Sequence, residues 1–300
     1  MGISTKIRDE GTFRTASKNG RCRTEQKCLS QLQTFIEMKL TLENPFYAYL
    51  FGFAQADGHL YEHSRNRGKL RIEIGEKDAE ILERFQKLLP FNSSIRRRVR
   101  TTNFGANYES VIWTVCDKRF RDCLKDWGFP VGKKSEIITT PRASYSPPDY
   151  FRGLIDGDGS LGLTASGFPF VSLVTSSPQI VGEYLNFIER VTGKSKTSLP
   201  NSRDKVYNIA IYKEDAQALV KRIYYKGCLA LPRKKLKAET VLNWRRPSTM
   251  KKVPNRKLWT IEEDNFIRAN LIEVSMKELD RSRRSVEMRL WRLMKKSDGN

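Results

Sequence analysis

The chain has 300 residues, and its 55 Lys and Arg against 34 Asp and Glu give a formal net charge of +21 at pH 7. This length exceeds the usual size of one hydrophobic core, so we expect at least two domains. So large a positive charge indicates a polyanionic partner such as nucleic acid. The longest apolar run, Tyr47 to Ala54, is far too short to cross a bilayer, so no membrane partner is expected.

Few residues of the chain suit histidine or cysteine chemistry. The only two histidines, His59 and His63, argue against His-based triads and His-rich metal cages. The five cysteines form no C-x-x-C pair, which favours reduced thiols in an intracellular protein over a zinc site. The sequence also shows no signal-peptide pattern.

Composition and charge divide the chain into five predicted segments. They are a basic N-terminal arm (1–40), a first α/β half (41–145), a second half (146–244), a basic linker (245–257) and a short helical module (258–300).

The two halves begin with copies of an internal repeat. Residues 49–60 read YLFGFAQADGHL and residues 150–161 read YFRGLIDGDGSL, which places Asp57 and Asp158 101 residues apart (158 − 57). After the first copy we predict strand 69–74, helix 78–88, strands 94–101 and 109–115, and helix 117–127. After the second we predict strand 170–174, helix 178–191, strands 196–199 and 205–212, and helix 214–225. The expected fold class is therefore α+β, with two pseudo-symmetric α-β-β-α-β-β-α halves.

Each repeat predicts a helix that ends at its Asp-Gly. Small residues recur every four positions, at Ala48, Gly52 and Ala56 in the first copy and at Gly153 and Gly157 in the second. Such a face lets two helix backbones approach closely, which would bring Asp57 and Asp158 together. We expect Gly58 and Gly159 to adopt the left-handed turn that ends a helix.

Two carboxylates at helix C-termini are electrostatically unfavourable, because each faces the negative end of a helix dipole and the other carboxylate. Bound divalent cations with oxygen ligands would compensate that charge. Beside a cationic surface, this pattern predicts Mg²⁺-assisted phosphodiester hydrolysis. The alternative is that the helices merely pack and the Asp residues act as caps, but the second copy of the motif favours the metal site.

Both copies resemble the LAGLIDADG motif of homing endonucleases, and residues 44–240 resemble the single-chain, two-motif form of that family. The resemblance implies a monomer whose two β-sheets form a saddle on double-stranded DNA and which cuts a long asymmetric target. It also implies two or more Mg²⁺ ions, for which Mn²⁺ or Ca²⁺ can substitute in binding. The implied metal ligands are the Asp57 and Asp158 carboxylates and the Ala56 and Gly157 carbonyls. Gln55 departs from the motif, since an Asp usually stands there, whereas Asp156 keeps it.

A lysine pair follows each half, Lys133-Lys134 and Lys234-Lys235. The resemblance implies a basic residue beside the active site, which could orient water or stabilise phosphate charge. The sequence does not tell which lysine of each pair does so, and we assign Lys134 and Lys235. Simple phosphate neutralisation is the alternative.

Alternating basic residues mark the predicted DNA-reading strands. The expected contacts in the first half are Lys69, Arg71, Arg96, Arg98 and Arg100, and in the second half Lys196, Arg203, Lys205 and Asn208. Arg97 falls on the apolar face and breaks the alternation. An ordinary solvated basic face is the alternative interpretation.

The C-terminal module begins with a sequence that resembles the Myb/SANT start W-T-x-E-E-D, with Trp259 as a core aromatic and Thr260 as a helix N-cap. We predict three helices in a helix-turn-helix-like arrangement, with Leu271 in the apolar stripe of the first. DNA contacts are expected from the third helix, at Arg283, Arg284, Arg289 and Arg292. The alternative is a module that contacts protein.

Three functions fit these features. The leading one is a site-specific DNA endonuclease of the homing type. The others are a maturase that binds its own intron RNA and a transcription regulator that binds DNA without cutting it. Retention of both Asp57 and Asp158 argues against a pure DNA binder, which has no need of two repelling carboxylates.

Overall fold

The computed structural model describes residues 40–102, 105–248, 250 and 258–297. Residues 1–39 of the predicted N-terminal arm and residues 249 and 251–257 of the predicted linker lie outside the described residues. The chain divides into two compact units, Met1–Trp244 and Arg245–Asn300.

The first half has the predicted element order. Its elements are α1 (Pro45–Asp57), β1 (Gly58–Glu62), β2 (Gly68–Gly75), α2 (Ala79–Leu88), β3 (Ser93–Thr102), β4 (Gly105–Val115) and α3 (Lys118–Asp126). The strands form an antiparallel sheet in the order β1-β2-β4-β3. Helix α1 begins at Pro45 because proline suits the first helical position and the Asn44 side chain accepts the Phe46 N–H.

The second half repeats this order with one strand fewer. Its elements are α4 (Pro147–Asp158), β5 (Gly159–Leu163), β6 (Pro169–Thr175), α5 (Pro178–Thr192), β7 (Tyr207–Tyr212), α6 (Lys213–Ile223) and α7 (Pro232–Asn243). The sheet order is β5-β6-β7. The mixed α+β class is confirmed.

Two local expectations for this half are wrong. The predicted strand over 196–199 is irregular chain, because Leu199 is 86% exposed, so the segment has no buried face, and Pro200 cannot donate to a ladder. Helix α7 was not expected in a segment so rich in lysine. It forms because Pro232 starts it and Ala238 and Val241 bury one face.

Helices α1 and α4 pack backbone against backbone. A Cβ added to Gly52 would lie 2.2 Å from the Tyr150 carbonyl oxygen, and one added to Gly153 would lie 2.3 Å from that of Tyr49. Only glycine fits at such a crossing, which confirms the predicted role of the small residues. The hydrophobic core continues across this contact into both halves.

The glycine after each motif is required for a reason other than the expected one. Gly58 has φ −89° and Gly159 has φ −102°, so both are extended and start β1 and β5. The predicted left-handed turn is wrong. Space decides instead, since a Cβ would lie 2.6 Å from the Ala54 oxygen at the first position and 2.7 Å from the Ser172 oxygen at the second.

The C-terminal unit contains three helices, α8 (Ile261–Ala269), α9 (Ile272–Leu279) and α10 (Arg283–Ser297). Thr260 and Glu263 form a reciprocal capping box at the start of α8. Ile267 and Val286 are buried. Leu271 is 74% exposed, so its predicted place in the apolar stripe is wrong: the residue lies in the turn between α8 and α9. Within the described parts of the chain, no helix combines the length and apolar character that crossing a membrane demands.

The close helix crossing predicts unequal effects of two glycine substitutions. Gly153→Ala should lower the free energy of unfolding by about 2 kcal/mol or more, because the new methyl overlaps backbone atoms. Gly182→Ala is the control, since Gly182 lies on the exposed face of helix α5 and its added Cβ would meet no atom beyond its own helix within 4 Å. It should gain about 0.5–1 kcal/mol from helix propensity. Urea unfolding measures both, and equal effects would contradict the crossing.

Candidate functional site

The ends of the two motif helices meet. Asp57 and Asp158 are the last residues of α1 and α4. A Cβ added to Gly157 would lie 2.2 Å from the Ala56 Cβ and 3.2 Å from Asp57 Oδ2, so the Asp57 carboxylate lies beside the second motif. The structure thus brings the two predicted acidic residues to one place.

This arrangement destabilises the charged form of both carboxylates. Their tips reach solvent, but surrounding protein removes part of their hydration. That desolvation, together with the charge of Asp158, raises the pKa of Asp57 to about 6. Desolvation also raises the pKa of Asp158, against the opposing charges of Lys134 and Lys234. The two lysines therefore do not fully compensate the carboxylate pair.

A lysine binds the end of each motif helix. Lys134 Nζ donates to the carbonyls of Gln55 and Ala56, the second at 2.6 Å. These carbonyls lie in the last turn of α1, where the helix has no further N–H to donate to them. The ammonium group also lies at the negative end of the helix dipole. Desolvation lowers the pKa of Lys134, although the two Asp charges oppose this.

The second half repeats this contact with a different lysine from the one assigned. Lys234 Nζ donates to the carbonyls of Ile155, Asp156 at 2.7 Å and Gly159 at 2.9 Å. Its side chain is buried, and desolvation lowers its pKa to about 8.

Lys235, predicted for this place, is exposed on α7 instead. The physical reason is helical geometry, because neighbouring residues point about 100° apart and only one of the pair can face the motif. In the first half Lys134 makes this contact from irregular chain, and Lys133 is exposed.

Two tyrosines, missed in the sequence analysis, cross between the helices. Tyr49 of α1 donates its hydroxyl to Asp156 Oδ2 at 2.7 Å, and Tyr150 of α4 donates to Gln55 Oε1 at 2.6 Å. The two bonds are related by the pseudo-symmetry of the repeats. The signal was visible in the sequence, since both copies begin with Tyr at the same distance from their final Asp.

The departure at Gln55 has a structural explanation. Its amide donates to the Thr139 carbonyl at 2.9 Å while its oxygen accepts from Tyr150. A carboxylate could not donate to that carbonyl, so the neutral amide suits this position.

Asp156 connects the second motif to the segment that carries Lys234. It is buried and accepts from the Tyr224 hydroxyl at 2.6 Å and the Leu231 N–H at 2.8 Å, in addition to Tyr49. Burial raises its pKa, and the tyrosine hydrogen bonds oppose that shift. No local pattern could reveal these partners, because they lie 68 and 75 residues away along the chain.

An ion pair beside the site joins the two halves. Arg233, next to Lys234, makes a two-point contact with Asp78 of the first half, with Nε 2.8 Å from Oδ1 and Nη2 3.0 Å from Oδ2. The Asp78 side chain is 8% exposed, and its charge also contributes to the raised pKa of Asp57. This contact fixes the start of α7 against the first half.

The donor set suits a hard divalent cation. The Asp57 and Asp158 carboxylates and the Gly157 carbonyl are oxygen donors, and burial disfavours the charged form of both carboxylates in the absence of a cation. The Ala56 carbonyl, also predicted as a ligand, accepts from Lys134. Over the described residues, no three His, Cys, Asp or Glu side chains gather as a metal-binding group, so the predicted ligands comprise two carboxylates and main-chain oxygens.

The predicted basic face of the first half lies on one side of its sheet. Leu70 and Ile72 are buried, while the intervening Lys69 and Arg71 face outward. All four arginines of β3 are exposed, and Arg96, Arg98 and Arg100 lie on the same face as Lys69 and Arg71. Arg97, the exception in the alternation, forms ion pairs with Glu76 and Glu83.

Most of the DNA contacts predicted for the second half do not lie on its sheet. Asn208 is exposed on β7, but Lys196, Arg203 and Lys205 lie in the irregular connection before that strand. Arg203 is paired with Asp204 at 3.4 Å. The structure therefore places one of the four predicted contacts on the sheet.

The four predicted arginines of α10 differ in exposure and in their ion-pair partners. Arg284 and Arg292 are exposed, and Arg283 is paired with Glu273 and Glu287. Arg289 instead joins α10 to α8 through both carboxylate oxygens of Asp264, at 2.7 and 2.6 Å, so its predicted place on the outer surface is wrong. Trp259 is half-buried and stacks under Arg281 at 4.1 Å.

Comparison with known families adds an independent observation. Residues 46–124 match the family model described as a LAGLIDADG-like domain. That stretch begins in α1 and ends in α3, so the first half contains a LAGLIDADG-like domain. No curated protein matches the chain in sequence.

Similar solved structures include homing endonucleases. I-WcaI bound to its DNA recognition sequence has 14% identity and a TM-score of 0.47, over 75% of this chain and 95% of that one. The LAGLIDADG homing endonuclease I-GzeII in complex with its DNA target has 13% identity and a TM-score of 0.42, over 65% and 87%. I-SmaMI bound to uncleaved DNA in the presence of calcium ions has 12% identity and a TM-score of 0.37, over 60% and 81%.

Desolvation of the Asp57 carboxylate, together with repulsion by Asp158, predicts that Asp57→Asn stabilises the metal-free protein at neutral pH. The pKa of Asp57 is raised from 3.8 to about 6, so its charged form weakens the fold as the pH rises through that range. With allowance for solvent screening, the gain should be about 1 kcal/mol at pH 7 and should vanish below about pH 4. Urea unfolding in chelator across this range measures it.

Asp122→Asn is a control that should change the free energy of unfolding in the opposite direction. Hydrogen bonds from Lys118 and Lys125 lower the pKa of Asp122 to about 2, so its loss should weaken the fold at neutral pH. Destabilisation by Asp57→Asn at pH 7 would contradict repulsion at the site.

Proposed function

We propose that this protein is a metal-dependent endonuclease that cuts double-stranded DNA at a long, asymmetric site. The observation that carries the proposal is the meeting of Asp57 and Asp158 at the ends of two helices packed backbone against backbone. A fold that holds two repelling carboxylates together gains nothing from them structurally, whereas a cation-dependent reaction requires them. The LAGLIDADG-like domain over 46–124 supports the same activity.

The charge distribution supports DNA as the substrate. Basic side chains follow the outward face of β2 and β3, and a β-sheet can enter the major groove. The chain as a whole carries a net charge of +21, which suits the phosphate backbone. Because the two sheets belong to one chain and differ in sequence, we propose that a monomer reads an asymmetric target.

The site residues have different proposed roles in hydrolysis. Asp57, Asp158 and the Gly157 carbonyl would hold Mg²⁺, which supplies Lewis-acid stabilisation of the phosphate and an activated water when bound. Lys134 and Lys234 hold the C-terminal turns of the motif helices in place and set a positive charge beside the carboxylates. Tyr49 and Tyr150 fix the two helices against each other, so the carboxylates keep one separation.

The C-terminal unit is proposed to make a second DNA contact through α10. Arg284 and Arg292 are exposed on that helix, and the short α9–α10 connection resembles a helix-turn-helix. A basic helix of this kind would contact the target beyond the catalytic unit.

Removing one carboxylate should abolish double-strand cleavage and preserve binding. Asp57→Asn and Asp158→Asn each remove an anionic ligand, whereas DNA affinity depends on the basic surfaces elsewhere. Cleavage and gel-shift assays on DNA flanking the insertion point of the gene, with and without Mg²⁺, measure both. Full double-strand cutting by either variant would overturn the assignment, and tight binding of intron RNA without DNA cleavage would favour the maturase.

The lysine pairs provide a matched control in the same assays. Lys234→Met should reduce cleavage strongly, because Lys234 holds three carbonyls at the end of α4. Lys235→Met removes the same charge from the exposed neighbouring position and should leave cleavage nearly unchanged. Equal losses would show that charge alone matters, as phosphate neutralisation requires.

Deleting the chain from Arg245 should weaken DNA binding and flatten its salt dependence. In a plot of the logarithm of the binding constant against the logarithm of the salt concentration, each lost phosphate contact should reduce the steepness of the slope by about 0.9. The reason is that fewer counterions are released on binding. Cleavage at saturating enzyme should survive, since both motifs remain. Footprinting at several salt concentrations measures these effects, and an unchanged footprint and slope would favour a protein contact for this unit.

A further inference from the structure

The two sheets of the catalytic unit present different chemistry on their outward faces. In the first sheet, the outward residues of β2 and β3 include five basic side chains, Lys69, Arg71, Arg96, Arg98 and Arg100. Strand register places Arg96 opposite Ile112 and Arg98 opposite Ser110 of β4. Glu73, in the middle of this face, contacts Arg71 at 2.5 Å and Arg100 at 3.6 Å. This face is therefore built from long hydrogen-bond donors.

The second sheet has no charge on its strands. All residues of β5, β6 and β7 are described, and none of them is Lys, Arg, Asp or Glu. Its inner face is formed by buried aliphatic residues such as Val171, Leu173 and Ile209. Its outward face consists of small, apolar and hydroxyl side chains with one amide: Ser160, Phe170, Ser172, Val174, Asn208, Ala210 and Tyr212.

Three basic residues of this half lie beside its sheet rather than on its strands. Arg203 and Lys205 belong to the connection before β7, and Lys213 follows that strand directly, with its Nζ 5.2 Å from the Phe168 ring centre. Cations beside a sheet suit phosphates, which flank a groove, whereas side chains on the face of a sheet suit the base edges. The outward face of the second sheet offers only uncharged groups for such contacts.

Near one end of this uncharged face, two complementary groups lie side by side. Val174 and Asn208 are register partners on neighbouring strands, and both are exposed, Val174 by 40%. An aliphatic group contacts the thymine methyl, and an Asn amide pairs with adenine N6 and N7, so this pair matches the two bases of an A·T pair. Arginine prefers guanine O6 and N7, which are the acceptors that the first sheet can reach.

We propose that the two halves read opposite base compositions: the half-site under the first sheet contains guanines contacted by arginine, and the half-site under the second sheet is A·T-rich and read through thymine methyl groups and Asn208. The inference rests on the proposed DNA-binding function and adds the composition and orientation of the target.

The test begins with selection of bound sequences from a randomised duplex library by the full-length protein in chelator, which prevents cleavage. In the selected site, deoxyuridine then replaces thymine and 7-deazaguanine replaces guanine, one half at a time. Loss of the thymine methyls should weaken binding by about tenfold in the A·T-rich half and little in the other, with the reverse for 7-deazaguanine.

Matched variants assign each half-site to its sheet. Arg98→Ala should relax guanine preference in one half only, whereas Arg84→Ala, which removes an exposed arginine of α2 paired with Glu80, should not. Asn208→Ala should relax adenine preference in the other half, whereas Gln179→Ala, at an exposed position of α5, should not. Equal losses in both halves, or a variant acting on the wrong half, would overturn the inference while leaving sequence-specific DNA binding intact. Absence of any selected sequence would instead overturn the proposed function as well.

Discussion

The close approach of α1 and α4 is the constraint on which the rest of this structure depends. Gly52 and Gly153 allow the backbone of each helix to touch the other, where any side chain would collide with a carbonyl oxygen. Because the helices end together, the crossing also sets where the two motif carboxylates lie. Stability and site geometry are therefore properties of the same contact, and a change in the helix separation would alter both.

The electrostatics of the site follow from that crossing. Asp57 and Asp158 are partly desolvated at the negative ends of two helices, which disfavours their charged forms, and the charges of Lys134 and Lys234 oppose this effect. The surrounding contacts hold the arrangement rigid: tyrosines cross between the helices, and Arg233 joins the halves through Asp78. A site strained in this way favours a cation over an empty state, which accords with the proposed hydrolysis.

The two halves share a repeated motif, but their outer surfaces differ. The motif helices, the lysines and the cross-helix tyrosines keep the pseudo-symmetry, because both halves contribute to one central site. The outward faces of the sheets do not share that requirement, and one is rich in arginine while the other has uncharged strands. A single chain with two different surfaces can bind a target that has no symmetry of its own.

Local periodicity and the spacing within each copy were enough to predict the repeat and the two helices ending at Asp57 and Asp158. They also predicted the small-residue face between these helices and most strands. Tertiary structure alone decided which lysine faces the site, since Lys234 and Lys235 differ only in direction around α7. It also decided that Arg289 joins two helices and that residues 196–199 form no strand, because both depend on partners distant in the chain. Gly58 and Gly159 illustrate the same limit: their position was evident, but the steric reason for glycine appears only when the neighbouring backbone is present.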